Sequence, residues 1–375
     1  MRDVIVLGGG IAGTSTAFYL ASDGVDVLLL EQGDIGSGAS GANAGSLHGQ
    51  LQHEPFVENG ARWAQAFAPA IPFYKRSIEL WLEASELLGT DLEAKQTGGI
   101  IVAATADKLR MIEAKTAFEN AHGLPTEMLG RDDLRRLAPY IAERMIGGAL
   151  CPMEGKASPL RAAPAYAQAA ESAGAEVRTR QRVIDIEKSV DGFSVRTADN
   201  MWQARRLVIA AGIDSVDIAA KLGVELQIAA VPIQLTVTEP VAPLMEHLLY
   251  SAEDVLTLKQ SARGTLLIGG GWPAVMDSQG RAQVAAESLS RNLAAALAVV
   301  PALARLQVVR SWAWPVNITE SWLPILGEVG GVPGLFVNHV PAMGFTGGPA
   351  SGLIVASQVQ GKPPPVDFDV LPFVP

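Results

Sequence analysis

The sequence predicts an α/β protein of two interleaved domains, and three observations lead to this. The sequence begins with the pattern of a buried strand at 4–7, a helix at 11–22 and a second buried strand at 26–31. A parallel β-α-β unit is therefore expected there. The same α/β pattern returns at 162–212. Between the α/β pieces, residues 226–238 and 255–271 alternate apolar and polar side chains like antiparallel strands.

The remaining elements follow from short apolar runs and from glycines that end them. Helices are predicted at 72–88, 107–121, 131–137, 162–173 and 344–359, and strands at 98–103, 176–179, 183–186, 206–212 and 334–338. The discontinuous α/β pieces predict a first domain from 1–90, 148–225 and 316–375. The strand-rich insertions predict a second domain, with a mixed, mainly antiparallel sheet, from 91–147 and 226–315.

Composition excludes several classes of protein. The 375 residues are 49% hydrophobic and 18% charged, which allows two large cores. A net charge of −10 argues against a nucleic-acid partner, because polyanion binders are usually basic. The sequence contains no run of eighteen apolar residues, so no membrane span is predicted.

Cysteine and histidine usage narrows the chemistry further. Cys151 is the only cysteine, so neither an internal disulfide nor a thiolate metal cluster can form. The five histidines show no metal-ligand spacing, and no metal site is predicted. A chain that needs no oxidising compartment is expected in the cytoplasm.

The first β-α-β unit carries a dinucleotide-binding fingerprint, Gly8-x-Gly10-x-x-Gly13, with Glu31 at the end of the second strand. Gly8 permits the tight turn, Gly10 lets a pyrophosphate approach the backbone, and Gly13 lets the helix pack close to the sheet. The helix start offers free N–H groups to phosphates, and Glu31 can accept the ribose hydroxyls. The first domain is therefore predicted to be Rossmann-like. Glu31 disfavours a 2′-phosphate, but the motif alone leaves NAD and FAD open.

Three further segments decide between these cofactors. They are Gly36–Gly45, rich in Gly, Ala and Ser, then Pro324–Gly327, and Met343–Ala350. Together they resemble the D-amino-acid oxidase superfamily of flavoenzymes, which includes glycine oxidase, sarcosine oxidase, the subunits of opine oxidases and dye-linked proline dehydrogenases. The resemblance covers nearly the whole chain and is weakest between 215 and 310. Within residues 39–48 the sequence most resembles the catalytic subunits of opine oxidase and hydroxyproline dehydrogenase.

The resemblance implies FAD as the cofactor and a set of residues around it. The phosphates, ribose and adenine are expected at the fingerprint, at the end of the second strand and at Val183. The flavin is expected between the glycine-rich turn and the start of the last helix. The residues expected to bind FAD are Gly8, Gly10, Ile11, Ala12, Gly13, Glu31, Gln32, Ser37, Ser40, Asn43, Ala44, Gly45, Val183, Ala211, Gly212, Gly327, Met343, Gly344, Phe345 and Thr346.

The sequence also departs from its relatives. Monomeric sarcosine oxidase tethers its flavin through a cysteine near the Pro-Ile-Leu-Gly segment, whereas Cys151 is distant from that segment here. Non-covalent FAD is therefore expected, with a link through His48 as the alternative. Val316 stands where glycine oxidase has its carboxylate-binding arginine. The remaining candidate carboxylate partners are Lys259, Arg263 and Arg310, each of which could equally be a surface charge.

Four residues are predicted to line the substrate pocket. His48 follows the glycine-rich turn, and Tyr250 lies in the insertion where relatives place a substrate-contacting tyrosine. Trp314 and His339 are expected nearby, with a core or structural role as the alternative for each.

The expected activity is oxidation of a C–N bond α to a carboxylate, with hydride transfer to flavin N5. The substrate class is a D-amino acid, a proline-like imino acid or an N-substituted amino acid such as an opine. Two alternatives are a 2-hydroxyacid dehydrogenase and a flavin-binding subunit without turnover. The expected electron acceptor is a partner subunit, a quinone or a dye.

Overall fold

The computed structural model describes residues 1–375 and contains ten α-helices. They are α1 (Ile11–Ser22), α2 (Ala39–Ala42), α3 (His53–Phe67), α4 (Ala70–Leu87), α5 (Ala106–Ala121), α6 (Arg131–Leu137), α7 (Pro159–Ser172), α8 (Ser215–Ala220), α9 (Ala286–Val299) and α10 (Gly344–Val359). None of them is long and apolar enough to cross a lipid bilayer.

The strands number twenty-one. They are β1 (Arg2–Leu7), β2 (Val27–Leu30), β3 (Ser46–Leu47), β4 (Lys95–Gln96), β5 (Gly99–Ala103), β6 (Glu127–Gly130), β7 (Gly147–Cys151), β8 (Gly155–Lys156), β9 (Glu176–Arg178), β10 (Asp185–Ser189), β11 (Gly192–Arg196), β12 (Met201–Ile209), β13 (Ala229–Pro240), β14 (Leu248–Ser251), β15 (Thr257–Gln260), β16 (Thr265–Gly269), β17 (Val275–Met276), β18 (Ala282–Gln283), β19 (Val308–Ile318), β20 (Ile325–Glu328) and β21 (Leu335–His339).

The first sheet is the predicted Rossmann-like sheet. Strands β9, β2, β1, β12 and β21 are parallel neighbours in that order, and antiparallel β10, β11 and β20 extend the sheet. The parallel strands are apolar because helices cover them, and all four residues of β2 are buried. Their carboxyl ends meet at one edge of the sheet, called here the carboxyl edge. Ligands of open α/β sheets bind at such an edge.

Helix α1 lies unusually close to the structure around it. A Cβ at Gly13 would stand 2.0 Å from the Gly8 carbonyl oxygen, and a Cβ at Gly352 would stand 2.2 Å from Ser15 Oγ. The Ser15 hydroxyl donates to the Gly348 carbonyl at 2.9 Å. These contacts hold the starts of α1 and α10 together at the carboxyl edge.

The second sheet has the strand order β19-β13-β16-β15-β14-β5-β7-β6 and is antiparallel except between β14 and β5. Both sheets are assembled from distant segments, so the prediction of an α/β fold with interleaved units is confirmed. Two predicted domain boundaries fall inside strands of the second sheet, 147/148 in β7 and 315/316 in β19. We propose moving them to Cys151 and Ile318.

Several predicted elements shift by a few residues or were missed. The strand predicted at 183–186 begins at Asp185, and the helix predicted at 162–173 begins at Pro159. Helices α2, α3, α8 and α9 were not predicted. Cys151 is fully buried in β7, and this burial raises the pKa of its thiol.

Candidate active site

The start of α1 presents three backbone N–H groups without an acceptor, those of Gly10, Ala12 and Gly13. The Ile11 N–H donates to Ser40 Oγ at 2.9 Å. Gly8 has φ +113°, and a Cβ there would lie 2.4 Å from the Ala210 carbonyl oxygen. Only glycine fits that turn. Unpaired amides at the positive end of a helix form an anion site, as the fingerprint predicts.

Glu31 is fixed at the end of β2 by two backbone amides. Its carboxylate accepts from Gly9 N at 2.5 Å and from Gly33 N at 2.6 Å. Two bonds leave lone pairs free on both oxygens, because a carboxylate has about four acceptor positions. The side chain is therefore oriented at the carboxyl edge, where it can accept ribose hydroxyls.

The glycine-rich segment forms a tight turn beside α1. The Asn43 side chain shapes this turn, since it donates to Ser40 O at 2.6 Å and accepts from Gly45 N at 2.6 Å. Gly45 has φ +73°, and a Cβ there would stand 2.1 Å from the Ala157 carbonyl oxygen. Ser37 is exposed and Ala44 is half-buried. The segment is thus an ordered part of the site and not a linker.

The start of α10 offers a second set of unpaired amides, those of Gly344, Phe345 and Thr346, and Met343 at the helix cap supplies no side-chain bond. Thr346 Oγ1 accepts from His48 N at 3.0 Å and donates to Ser46 O at 3.2 Å. The helix start is therefore tied to the strand that follows the glycine-rich turn.

The other predicted cofactor residues lie at different distances from these helix starts. Ala211 and Gly212 follow β12 at the carboxyl edge, where Asp214 accepts from the exposed Gln32 amide at 2.7 Å. The Val183 N–H makes no backbone hydrogen bond. Gly327 stands apart, because it contacts Gln358 in the last turn of α10. That turn is about 20 Å from the helix start.

His48 and Tyr250 are brought together, although 202 residues separate them. His48 Nδ1 lies 2.7 Å from Tyr250 Oη, and the tyrosine hydroxyl donates to Glu154 Oε1 at 3.0 Å. A hydroxyl has one hydrogen, so His48 Nδ1 is the donor to Tyr250 and Nε2 carries the free lone pair. Nε2 has no hydrogen-bond partner and is not sealed from solvent. Burial, with the Lys259 charge adding to it, lowers the pKa of His48 to about 3, so the ring is neutral.

Glu154 is fully buried and was not predicted. Its Oε1 accepts from Gly49 N at 2.7 Å and Gln50 N at 2.9 Å, and its Oε2 accepts from Gln50 Nε2 at 2.9 Å. Burial raises the pKa of Glu154, while the hydrogen bonds from Gln50 and Gly49 act in the opposite direction. A Cβ at Gly99 would lie 1.7 Å from Oε2, so glycine leaves the space that the carboxylate occupies.

A buried ion pair continues this network away from the pocket. Lys115 Nζ donates to Gln50 Oε1 at 3.0 Å and to Glu119 Oε1 at 2.6 Å, and Leu51 N donates to Glu119 Oε1 at 2.9 Å. Both charged side chains are at most 1% exposed. A cavity of about 20 Å³, room for one water molecule, touches Gln50, Lys115 and Tyr250.

Lys259 is the one member of the three proposed carboxylate partners that is buried, at 2% exposure, whereas Arg263 and Arg310 are exposed. Its side-chain nitrogen donates to Ser46 Oγ at 3.0 Å, and it forms no salt bridge. Burial lowers the pKa of Lys259 well below its usual value. A buried amine without a counterion beside His48 is a candidate partner for a bound anion, because an anion there would favour its charged form.

His339 and the tryptophans occupy different places. His339 ends β21 at the carboxyl edge, is 2% exposed, and has an Nε2 without a partner. Burial lowers the pKa of His339 to about 4. Trp314 is 40% exposed on β19, with Gly38 beside its ring. Trp312, which was not predicted, donates from its indole to Ala42 O at 2.7 Å and ties β19 to the glycine-rich segment.

Comparison with known proteins decides the family. Residues 3–358 match the family model described as FAD dependent oxidoreductase. The chain belongs to this family. The predicted cofactor FAD and the predicted class, oxidoreductase, are thereby confirmed.

Relatives of this FAD-dependent oxidoreductase align over nearly its whole length. Glycine oxidase of Geobacillus kaustophilus is 28% identical, with 99% of this chain and 96% of the relative covered. The crystal structure of glycine oxidase from that species superposes with a TM-score of 0.88 over 100% of this chain and 98% of the other. One of the subunits of opine oxidase from Rhizobium meliloti is 28% identical, with 95% and 93% covered.

FAD fits the residues present. The unpaired amides of the α1 start suit the pyrophosphate, Glu31 suits the ribose, and the unpaired amides of the α10 start suit a group that carries negative charge. When bound, the flavin accepts the electrons of the oxidation. The assignment of individual residues to parts of FAD, and its non-covalent attachment, stay predictions.

Proposed function

We propose that this FAD-dependent oxidoreductase oxidises the C–N bond of an α-amino, imino or N-substituted amino acid to an imine, which then hydrolyses. One observation carries the proposal. The neutral His48 ring has a free Nε2 lone pair, and its backbone N–H is bonded to Thr346 in the first turn of α10. A proton acceptor therefore lies beside the helix start that suits the flavin.

An amino acid substrate must lose an ammonium proton before its C–N bond can be oxidised. A neutral imidazole within reach of the substrate can take that proton, and general acid–base assistance of this kind contributes about 10²–10⁴ in rate. The named activities of the relatives, glycine oxidase and opine oxidase, support a substrate of this class.

Lys259 can supply positive charge to an anion in the pocket, because a bound anion would favour protonation of this buried amine. Two anions occur in the proposed reaction, the substrate carboxylate and the reduced cofactor. Lys259→Met separates these roles. A rise in KM without a change in reoxidation assigns Lys259 to the carboxylate, and slower reoxidation assigns it to the cofactor.

We propose further that the electrons leave to a partner subunit, a quinone or a dye. The single cysteine cannot ligate an iron–sulfur cluster within the chain. Two relatives are themselves named as subunits of larger enzymes, one of the opine oxidase of Rhizobium meliloti and one of the sarcosine oxidase of an Arthrobacter species.

The experiment is anaerobic reduction of the bound flavin by a panel of amino acids, N-substituted amino acids and 2-hydroxyacids. Bleaching of the flavin absorbance by amines supports the proposal. Bleaching by hydroxyacids alone identifies a C–O oxidation instead, and no bleaching by the whole panel identifies a protein without turnover of its own. Admission of air to the reduced protein then tests the acceptor, since rapid reoxidation with stoichiometric peroxide would identify an oxidase.

A further inference from the structure

The buried side of His48 leads to a carboxylate through one intervening hydroxyl. The path runs from His48 Nδ1 to Tyr250 Oη over 2.7 Å and from Tyr250 Oη to Glu154 Oε1 over 3.0 Å. The imidazole and the phenol can each give up one proton as they accept another, and the carboxylate at the end can accept one. The outer end of the path, His48 Nε2, is the end that has no partner within the protein.

We propose that His48, Tyr250 and Glu154 form a proton relay that stores the substrate's ammonium proton on Glu154 during C–N oxidation. The proposal rests on the function proposed above. It deepens that function, because it assigns the final proton acceptor to Glu154, a residue that never touches the substrate.

The relay balances as three proton transfers with no redox step. The substrate N–H bond breaks as an N–H bond forms at His48 Nε2. The His48 Nδ1–H proton passes to Tyr250 Oη, and the Tyr250 hydroxyl proton passes to Glu154 Oε1. The substrate becomes a neutral amine, the imidazole changes tautomer without gaining charge, and Glu154 becomes a neutral acid. The reverse transfers return the proton when the product leaves.

The surroundings of His48 favour this over simple protonation of the ring. Its pKa of about 3 shows that a charged imidazolium is disfavoured there, and the Lys259 charge contributes to this. A relay avoids the imidazolium, because the ring loses one proton as it gains another. The raised pKa of Glu154 matches the role of acceptor.

Charged and titratable groups face Glu154 from several elements. Tyr250 of β14 donates to it, and Cys151 of β7 is close enough for the carboxylate to raise the pKa of its thiol. From α5, the Lys115 charge lowers the pKa of Glu154, and Glu119 accompanies it as the partner of Lys115. Glu119 accepts from Lys115 and Leu51 N and has no hydrogen bond to Tyr250, so Glu154 is the carboxylate that can exchange a proton with Tyr250.

The test uses Tyr250→Phe and Glu154→Gln in the FAD-loaded protein. Tyr250→Phe removes the middle of the path and leaves the other three bonds of Glu154 in place. Tyr140→Phe is the matched control, because it also removes a tyrosine hydroxyl that lies 2.9 Å from a histidine Nδ1, that of His247, but it is off the path. Flavin reduction by the amine identified in the panel is measured by stopped flow from pH 6 to pH 10.

The relay predicts that both variants lose about 100-fold in reduction rate at pH 7. Their rates should recover toward wild type above the pKa of the free amine, where the substrate arrives without its extra proton. Tyr140→Phe should keep the wild-type pH profile. An equal loss at every pH, or an unchanged profile in Tyr250→Phe, would overturn the relay.

A second measurement does not depend on turnover. In protein labelled with ¹⁵N-histidine, the His48 signals, assigned with His48→Gln, should show a protonated Nδ1 and an unprotonated Nε2. Tyr250→Phe should shift that tautomer balance. An Nε2-protonated ring in the wild type would overturn the proposal. If no amine reduces the flavin while the Nδ1–H tautomer is present, the proposed function fails and the hydrogen-bonded path is retained.

Discussion

Removing the charge of Lys115 should destabilise the protein by several kcal/mol. In Lys115→Met, Glu119 keeps its bond from Leu51 N but remains a charge at 0% exposure without a counterion, and Gln50 Oε1 loses its donor. Breaking a buried pair from one side costs about 3–5 kcal/mol, because an uncompensated charge is left behind.

The size of the change in Tm follows from chain length. An unfolding entropy of about 2.1 cal/mol/K per residue gives roughly 0.8 kcal/mol/K for 375 residues. A loss of about 4 kcal/mol therefore lowers Tm by about 5 °C. Thermal unfolding of the FAD-loaded protein, followed by tryptophan fluorescence and calorimetry, measures this shift.

The double variant Lys115→Met/Glu119→Gln is the decisive comparison. It removes both charges and keeps an amide oxygen at residue 119 for Leu51 N. Because replacing both ions of a buried pair is often neutral, the double variant should regain at least half of the Tm lost by Lys115→Met. A single variant as stable as wild type, or a double variant less stable than the single one, would refute the reasoning.

Three further predictions concern the cofactor and pH. Glu31→Lys should purify without FAD, because an ammonium cannot accept the ribose hydroxyls, and a fully yellow variant would contradict this. Acid precipitation should release all flavin into the supernatant, whereas flavin kept in the pellet would indicate a covalent link and point to His48. Burial lowers the pKa of His339 from 6.5 to about 4, so the unfolded state binds the extra proton between these values. Stability should fall as pH drops from 6.5 to 4, by about 3 kcal/mol from this group, and denaturant titration of His339→Gln should show a shallower loss.

The turn and helix start of the dinucleotide-binding fingerprint could be predicted because their signals are local. Gly8, Gly10 and Gly13 are spaced by the turn and the helix that they build, and Glu31 ends the next strand of the same unit. The steric limits are severe there, since a Cβ at Gly13 would stand 2.0 Å from a carbonyl oxygen. Because such contacts require glycine, the glycine pattern predicts the turn without any knowledge of the rest of the chain.

The network around Glu154 and Lys115 could not be predicted, because its contacts join distant residues. Glu154 reaches Gln50 over 104 positions, and Lys115 reaches Gln50 over 65. Lys115 and Glu119 have the i, i+4 spacing of an ordinary surface ion pair, so the local sequence pattern does not indicate that they are buried. His48 and Tyr250 were found through the family resemblance.

Four helices were not predicted, and for α3 the reason is visible in its residues. Helix α3 contains Pro55 in its first turn and a kink at Gly60, whose φ of 68° and ψ of −166° are not helical. Both residues are typical of loops, so the sequence pattern does not indicate a helix here. The role of Gly327 in cofactor binding stays a prediction, and the structure places this residue beside Gln358 in the last turn of α10.

The position of Cys151 gives the protein a built-in reporter of unfolding. Its thiol is the only one in the chain, it is fully inaccessible, and β5 and β6 pair with its strand on either side. An alkylating reagent can reach the sulfur only when the strands around it separate. The rate of labelling at this single atom, read by intact mass, therefore counts opening events of the second sheet in the native protein, with no engineered probe.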